Sequence, residues 1–330
     1  MIMSRISVIG DGGWGTALAL LLHSKGTEVV LWSAFDDYAA CLNSSRENTK
    51  FLKGITLPKG LKITSDDNEV KSSEYVIFAV PCEYMRGVLD RFKDADFKRI
   101  ISATKGIENG SLMRPTEILK EYFKEDRISV VSGPSISFEV ARGVPTTVVV
   151  AGYGAEQEDV RDLLMTESFR VYTSKDVIGV ELGGALKNII AIAAGISDGL
   201  GFGTNPKAAI LTRGLAEITR LGVKMGADPS TFRGLSGIGD LMTTCISRDS
   251  RNRCFGEEIG KGRSKEEVLK DTEMVVEGLA TCRSAYEMSE KYKVDMPITN
   301  KVYEVLYKGK DPLSAVKELM TREAKEEDYM

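Results

Sequence analysis

One histidine, His23, is all that the 330-residue chain contains. That scarcity excludes an HExxH zinc site, which needs two imidazoles. It also excludes a Ser–His–Asp triad unless His23 itself is the base. His23 follows an apolar helical stretch and reads as a packing or surface residue. Any other general base must be Lys, Asp, Glu, Tyr or Cys. Cysteine is sparse too. Cys41, Cys82, Cys245, Cys254 and Cys282 are odd in number and form no CxxC pair, which argues for a reducing compartment and against a disulfide framework or a structural zinc site. Positive charge is not in excess: 44 Lys and Arg oppose 48 Asp and Glu, for a net charge of −4. No nucleic acid or anionic membrane is therefore expected as a partner, and a small anionic substrate would need a local cluster of positive groups. The start, Met-Ile-Met-Ser-Arg running into Ile6–Ile9, is too short and strand-like for a secretory segment. No apolar run approaches the roughly 18 residues of a membrane span, so the expected location is the cytoplasm, without stable membrane insertion.

What is present begins with length. At roughly 150 residues per domain, the chain has room for two. Short apolar, β-branched runs occur at Ile6–Ile9, Val29–Trp32, Tyr75–Val80, Ile100–Ala103, Ile128–Val131 and Thr146–Val150. Near-continuous runs of this length suit strands buried on both faces, hence a parallel sheet, and their alternation with helical stretches predicts a doubly wound α/β domain. After about residue 175 the apolar runs lengthen and take helical spacing, as in Leu182–Ile196, Ala208–Leu221 and Asp311–Leu319. Helix-start signals recur at Asn205-Pro206, Asp228-Pro229-Ser230 and Asp311-Pro312. The expected architecture is α/β: a Rossmann-like dinucleotide-binding domain over 1–178, then an all-helical substrate-binding and catalytic domain over 179–330. The charge run at 322–328 reads as a solvated end.

Two segments carry chemistry. Gly10-Asp-Gly12-Gly13-Trp14-Gly15 is a GxGxxG run that follows a strand and opens an apolar helix, the context a dinucleotide fingerprint requires. Gly10 makes the turn, Gly12 lets backbone approach a pyrophosphate, and Gly15 allows close helix–strand packing. An acid at the end of the second strand often serves NAD and a nearby arginine NADP. Here Ser33 and Ala34 stand there, with Asp36 and Asp37 a little late, so the choice between NAD and NADP stays open. The second segment, Val180 to Gly195, is apolar on nearly every side and interrupted by Lys187 and Asn188, with Gly183-Gly184 leaving room for another group one turn earlier. A lysine buried there has its pKa lowered toward neutrality and becomes a usable proton carrier. The alternative is a lysine snorkelling to the surface.

At this point the chain resembles the bacterial type of NAD(P)-dependent glycerol-3-phosphate dehydrogenases over nearly its whole length. The motifs are the glycine loop, Ala103-Thr-Lys105-Gly106, Ser132-Gly133-Pro134-Ser135 and Gly179–Asn188. Further on come Gly199–Gly203, Thr212–Glu217, Gly237-x-Gly-Asp240, Ser250-Arg251-Asn252-Arg253 and Val275-Val-Glu277-Gly278. The resemblance implies interconversion of glycerol 3-phosphate, a small phosphorylated triose, with dihydroxyacetone phosphate, in supply of phospholipid synthesis. It implies NAD or NADP as cofactor and no metal. By the same resemblance Lys187 is the catalytic acid–base, and Asp240 orients it. Lys105 touches cofactor and substrate, and Gly133 and Ser135 touch substrate. Ser250, Arg251 and Asn252 hold the phosphate, with Asn188 and Thr244 nearby. Arg251, Val275 and Glu277 also contact the cofactor, as do Gly10, Gly12, Gly13, Trp14, Gly15, Ala34 and Ser137. Two positions depart from the pattern: Ala34 replaces the Arg or His of many relatives, and Ser137 a frequent Ala. Assembly is left open, a homodimer being one alternative. Two rival readings also stand: another two-domain hydroxyacid or hydroxyacyl dehydrogenase, and a non-catalytic dinucleotide sensor.

Overall fold

A computed structural model describes residues 5–154, 156–272, 274–324 and 326–327. The chain divides into two compact units, Met1–Lys105 with Arg114–Val177, and Gly106–Met113 with Ile178–Met330. No motif announces the excursion of 106–113 into the second unit.

The first unit is built on β1 (Ile6–Ile9), β2 (Val29–Trp32), β3 (Lys62–Thr64), β4 (Tyr75–Phe78), β5 (Arg99–Ser102), β6 (Ile128–Ser132), β7 (Thr146–Gly152) and β8 (Phe169–Ser174). They form one sheet in the order β3-β2-β1-β4-β5-β6-β7-β8. The first six strands are parallel and follow the order of a Rossmann sheet, in which the sequence of strands changes its direction of growth between β1 and β4. Helices α1 (Gly13–Ser24), α2 (Asp36–Ser45), α3 (Asp67–Lys71), α4 (Met85–Phe92), α5 (Pro115–Lys120), α6 (Ser137–Ala141) and α7 (Glu156–Leu164) complete it.

All six expected strands form, and β1 and β2 are buried at every residue. Two further strands occupy the sheet's edges. β3 is three residues long, and β8 alternates buried and exposed positions at its start, so neither offers the continuous apolar run of a central strand. The sheet is also not wholly parallel, because β6 and β7 run antiparallel. Only α6, five residues long, lies between them. At about 1.5 Å per residue it is too short to carry the chain back along the five-residue β6, which rises about 3.3 Å per residue.

The second unit contains α8 (Val177–Gly199), α9 (Thr204–Lys224), α10 (Asp240–Ile246), α11 (Arg251–Gly260), α12 (Lys265–Lys270), α13 (Glu277–Tyr292), α14 (Pro297–Lys308) and α15 (Pro312–Met320). It has no strand among its described residues. Asp311 and Asp228 cap as expected, accepting from the backbone N–H of Ser314 and Ser230. Asn205 does not cap, since Gly203 holds that place. Contrary to the expectation from the sequence, one apolar stretch does reach the length of a membrane span. α8 is long and apolar enough to cross a bilayer, with mean hydropathy 1.6, but 89% of its apolar window is buried inside the structure, as in a core helix. The terminal charge run is not simply solvated either. Arg322 binds both carboxylate oxygens of Asp295, and Arg213 donates to the Glu327 carbonyl. Positions 325 and 328 lie outside the described residues.

α14 starts without a side-chain cap of its own, because Met296 precedes Pro297. Buried Glu217 on α9 supplies one. Its two oxygens accept the N–H of Ile298 at 2.6 Å, the N–H of Thr299 at 3.0 Å and the Thr299 hydroxyl at 3.0 Å. Burial pushes this carboxyl up from the ordinary 4.5 to about 7. The folded state therefore holds an extra proton between those two values, and this group's contribution to stability falls as pH rises through that window. Glu217→Gln turns an amide N–H toward backbone donors and should cost about 1–3 kcal/mol. In paired denaturant titrations the gap between wild type and variant should narrow from pH 4.5 to 7. A constant gap would mean that Glu217 does not titrate there.

Candidate active site

In the first unit, Gly10 leaves β1 at φ 111°. A Cβ there would lie 2.8 Å from the Ala79 carbonyl oxygen, so only glycine makes this turn. On α1, a Cβ at Gly15 would come within 1.9 Å of the Gly10 carbonyl oxygen, so helix and loop are in backbone contact. Gly12 is different. It is the N-cap of α1 and makes no side-chain cap, and among the described residues nothing beyond its immediate chain neighbours lies within 4 Å of where its Cβ would be. The first turn of a 12-residue helix thus offers uncapped N–H groups and the positive end of its dipole to open space. Trp14 adds a buried indole N–H that has no hydrogen-bond partner. These features fit a bound pyrophosphate and its neighbouring polar atoms.

Gly13 closes against the Phe51 carbonyl oxygen, 2.8 Å from its hypothetical Cβ, and Ser137 at the head of α6 lies 3.6 Å from the same point. Ala34 is exposed just past β2, as are Asp36 and Asp37 in the first turn of α2. Beyond β5 and β6, Lys105 Nζ and the Ser135 hydroxyl both donate to the Gly133 carbonyl, at 3.3 and 3.0 Å.

In the second unit, Lys187 is 6% exposed and Asp240 1%, which disposes of the snorkelling alternative. The Lys187 ammonium donates to Asp240 Oδ1 and, at 2.6 Å, to the Thr244 hydroxyl oxygen. The Thr244 hydroxyl in turn donates to the Asp240 carbonyl at 2.7 Å. Gly183 makes this possible. A Cβ there would sit 2.4 Å from the Ser236 carbonyl oxygen, so the segment Leu235–Gly239 lies directly on α8 and starts α10 with Asp240 facing Lys187. Burial alone disfavours the ammonium, and the touching carboxylate favours it. Cys245, beside Thr244, is kept protonated because burial pushes its thiol up to about 12.

Next to Lys187, Asn188 joins a second cluster. Its side-chain oxygen accepts from Asn252 at 3.0 Å, and its amide donates to Glu277 at 3.3 Å. The Asn252 oxygen accepts the Gly278 N–H at 2.9 Å. Glycines again set the spacing. A Cβ at Gly195 would meet the Arg253 carbonyl oxygen at 2.0 Å, and one at Gly256 the Ile192 carbonyl oxygen at 2.2 Å, so α8 and α11 touch through their backbones. Arg251 donates to the Val275 carbonyl at 3.2 Å and lies 3.8 Å from Glu277. Ser250 caps α11 by accepting from the Arg253 N–H. The Ser-Arg-Asn-Arg run is therefore not a uniform solvated turn. Asn252 is buried, Arg253 is tied to Asp198 at 2.7 Å, and only the Arg251 side chain is substantially exposed, at 45%.

Asn48 belongs to no recognisable motif, yet its amide ties the glycine loop by donating to the Asp11 carbonyl and the Thr16 hydroxyl oxygen at 2.7 and 2.8 Å. The spacing Gly195-x-x-x-Gly199 against Gly256-x-x-x-Gly260 is the sequence sign of this close helix packing. All five cysteines are free.

The family model described as NAD-dependent glycerol-3-phosphate dehydrogenase N-terminus matches residues 5–158, and the corresponding C-terminus model matches 176–317. The glycerol-3-phosphate dehydrogenase [NAD(P)+] of Thermoanaerobacter sp. (strain X514) is 50% identical over 98% of either chain. The crystal structure of glycerol-3-phosphate dehydrogenase from Coxiella burnetii superposes with a TM-score of 0.93 at 38% identity, covering 97% of this chain and 99% of that one. A D-mandelate dehydrogenase, 13% identical with a TM-score of 0.64 over 94% of this chain and 99% of its own, shares the fold alone.

Proposed function

The chain belongs to the NAD-dependent glycerol-3-phosphate dehydrogenase family, and from that premise we propose how its residues divide the chemistry. It is an NAD(P)-dependent oxidoreductase that interconverts glycerol 3-phosphate and dihydroxyacetone phosphate. Its substrate is thus a small phosphorylated triose. We assign dinucleotide binding to the sheet-bearing unit, 1–105 with 114–177, and substrate binding and catalysis to the helical unit, 106–113 with 178–330. A bound nicotinamide supplies or takes up the hydride. Lys187 handles the accompanying proton: in reduction its ammonium polarises the ketone oxygen and donates to it, and in oxidation the neutral amine takes the hydroxyl proton. Asp240 and Thr244 fix the direction of Nζ. Lys105, Gly133, Ser135 and Asn188 contact substrate. Ser250, Arg251 and Asn252 take the phosphate, where a guanidinium can bind two oxygens at once.

On the cofactor side, the uncapped α1 terminus and the glycine loop hold the pyrophosphate, aided by Trp14 and Ser137. Ala34 faces the adenosine ribose, and Lys105, Arg251, Val275 and Glu277 make further cofactor contacts. Cytoplasmic supply of glycerol phosphate for phospholipid synthesis is the role this activity serves.

The observation that carries this reading is the buried Lys187–Asp240–Thr244 constellation. A dinucleotide sensor would have no use for it. The test mixes protein, dihydroxyacetone phosphate and either NADH or NADPH, and follows the near-ultraviolet absorbance of the reduced cofactor. Loss of absorbance is expected. Tight cofactor binding without turnover would instead favour the sensor.

Ala34→Arg is expected to shift preference toward NADPH. An added guanidinium supplies charge-assisted hydrogen bonds to a 2′-phosphate worth about 1.5–3 kcal/mol, or roughly a tenfold to hundredfold change in relative affinity. The ratio of kcat/KM for the two reduced cofactors reads it. An unchanged ratio would place residue 34 away from the ribose.

A further inference from the structure

We propose that Asn48, in the segment between α2 and β3, is a positioning residue for the dinucleotide: its buried amide fixes the one peptide of the glycine loop that aims the Gly12 N–H at the cofactor's pyrophosphate. The inference rests on the dinucleotide reading above and names the side chain that prepares that site.

The Asn48 side chain is wholly buried and uses both donors and both acceptor positions of its amide. Its nitrogen donates to the Asp11 carbonyl at 2.7 Å and to the Thr16 hydroxyl oxygen at 2.8 Å. Its oxygen accepts from the Tyr38 hydroxyl at 2.7 Å and from the Phe51 N–H at 3.1 Å. The two backbone partners fix which way the amide faces. Turned over, it would set its oxygen against the Asp11 carbonyl and its nitrogen against the Phe51 N–H. The same segment closes on α1 itself, with the Phe51 carbonyl oxygen 2.8 Å from where a Gly13 Cβ would be.

These contacts reach the phosphate cradle through a single peptide unit. The Asp11 carbonyl accepts a second bond, from the Thr16 hydroxyl at 3.2 Å, so two donors hold its direction. The Asp11–Gly12 peptide is trans, which sends the Gly12 N–H of the same unit the opposite way, away from Asn48. Gly12 is the uncapped N-cap of α1 and borders open space, where an anion takes up backbone N–H groups. Released from Asn48, this peptide gains freedom to rotate and to present its oxygen, which repels a phosphate.

Asn48→Asp keeps the size and the accepting oxygen but faces the Asp11 carbonyl with a second acceptor. Asn48→Ala removes all four contacts and adds no charge. The test uses the full chain. It reads Kd for NADH by cofactor fluorescence, together with kcat and both KM values in the reduction of dihydroxyacetone phosphate. Each variant should raise Kd and KM for NADH about tenfold or more. The kcat at saturating NADH and the KM for dihydroxyacetone phosphate should not move. ADP-ribose, which carries the pyrophosphate without the nicotinamide, should weaken in parallel as a competitor. Glu47→Ala is the control. It removes the carboxylate that accepts the Gly54 N–H at 2.7 Å in the same segment and leaves the Asn48 contacts in place, so it should bind NADH as the wild type does. Unchanged NADH affinity in both Asn48 variants would overturn the proposal. So would an equal loss in Glu47→Ala, a fall in kcat as large as the rise in KM, or failure of both Asn48 variants to fold. A wild type that binds neither NADH nor ADP-ribose would overturn the dinucleotide reading beneath it as well.

Discussion

Replacing Lys187 by Met is expected to lower kcat by about 10²- to 10⁴-fold while leaving NADH affinity unchanged, the range typical of a lost general acid–base group. The two parts of the expectation rest on different units. The proton carrier sits on α8 against Asp240 and Thr244, whereas the glycine loop belongs to the sheet-bearing unit and keeps all its contacts. A complication is electrostatic. Removing the ammonium strands Asp240, 1% exposed, as a buried carboxylate without its cation, and breaking such pairs costs about 3–5 kcal/mol. Lost activity must therefore be separated from lost fold. The double variant Lys187→Met, Asp240→Asn removes both charges and should recover much of the stability without recovering turnover. A folded Lys187→Met protein with near-normal kcat would shift attention to Asp240 or Lys105 as the carrier.

Arg251→Ala is expected to raise the KM for glycerol 3-phosphate by about one to two orders of magnitude and to lower kcat as well. Binding energy at a remote phosphate also positions the reacting carbon, and a charge-assisted guanidinium contact contributes about 1.5–3 kcal/mol. The structure leaves this side chain suited to the task. One nitrogen donates to the Val275 carbonyl, another lies 3.8 Å from Glu277, and the side chain as a whole is 45% exposed. Arg253, two residues on, is committed to Asp198 and Glu257 and cannot substitute. Kinetics with glycerol as a second substrate isolate the phosphate term. The variant should lose most of the preference for the phosphorylated compound, and an unaltered preference would remove Arg251 from the phosphate site.

Much of this could be read from the sequence, for reasons that differ by element. Central strands were legible because burial on both faces writes a continuous apolar run, and α8 because Lys187 and Asn188 stand out against such a run. Edge strands were not. β3 and β8 each touch a single neighbouring strand and carry the mixed composition of a loop. The antiparallel turn at β7 depends on how far a five-residue helix can reach, a length that composition does not display. Pairings distant in sequence were the least visible. Lys187 meets a carboxylate 53 residues away, Asn188 meets Asn252, and Glu217 caps a helix 81 residues on. Each depends on glycines or a proline whose role appears only once two backbones are seen to touch.

The most direct test of the central claim traces the hydride itself. Dihydroxyacetone phosphate is reduced by the protein with NADH dideuterated at nicotinamide C4, and the product is examined by mass spectrometry and NMR. The predicted product is glycerol 3-phosphate carrying one deuterium at C2, with none incorporated when protiated NADH is used in deuterated water. Glycerol 3-phosphate without deuterium at C2, or no reduced product while the cofactor remains bound, would contradict it.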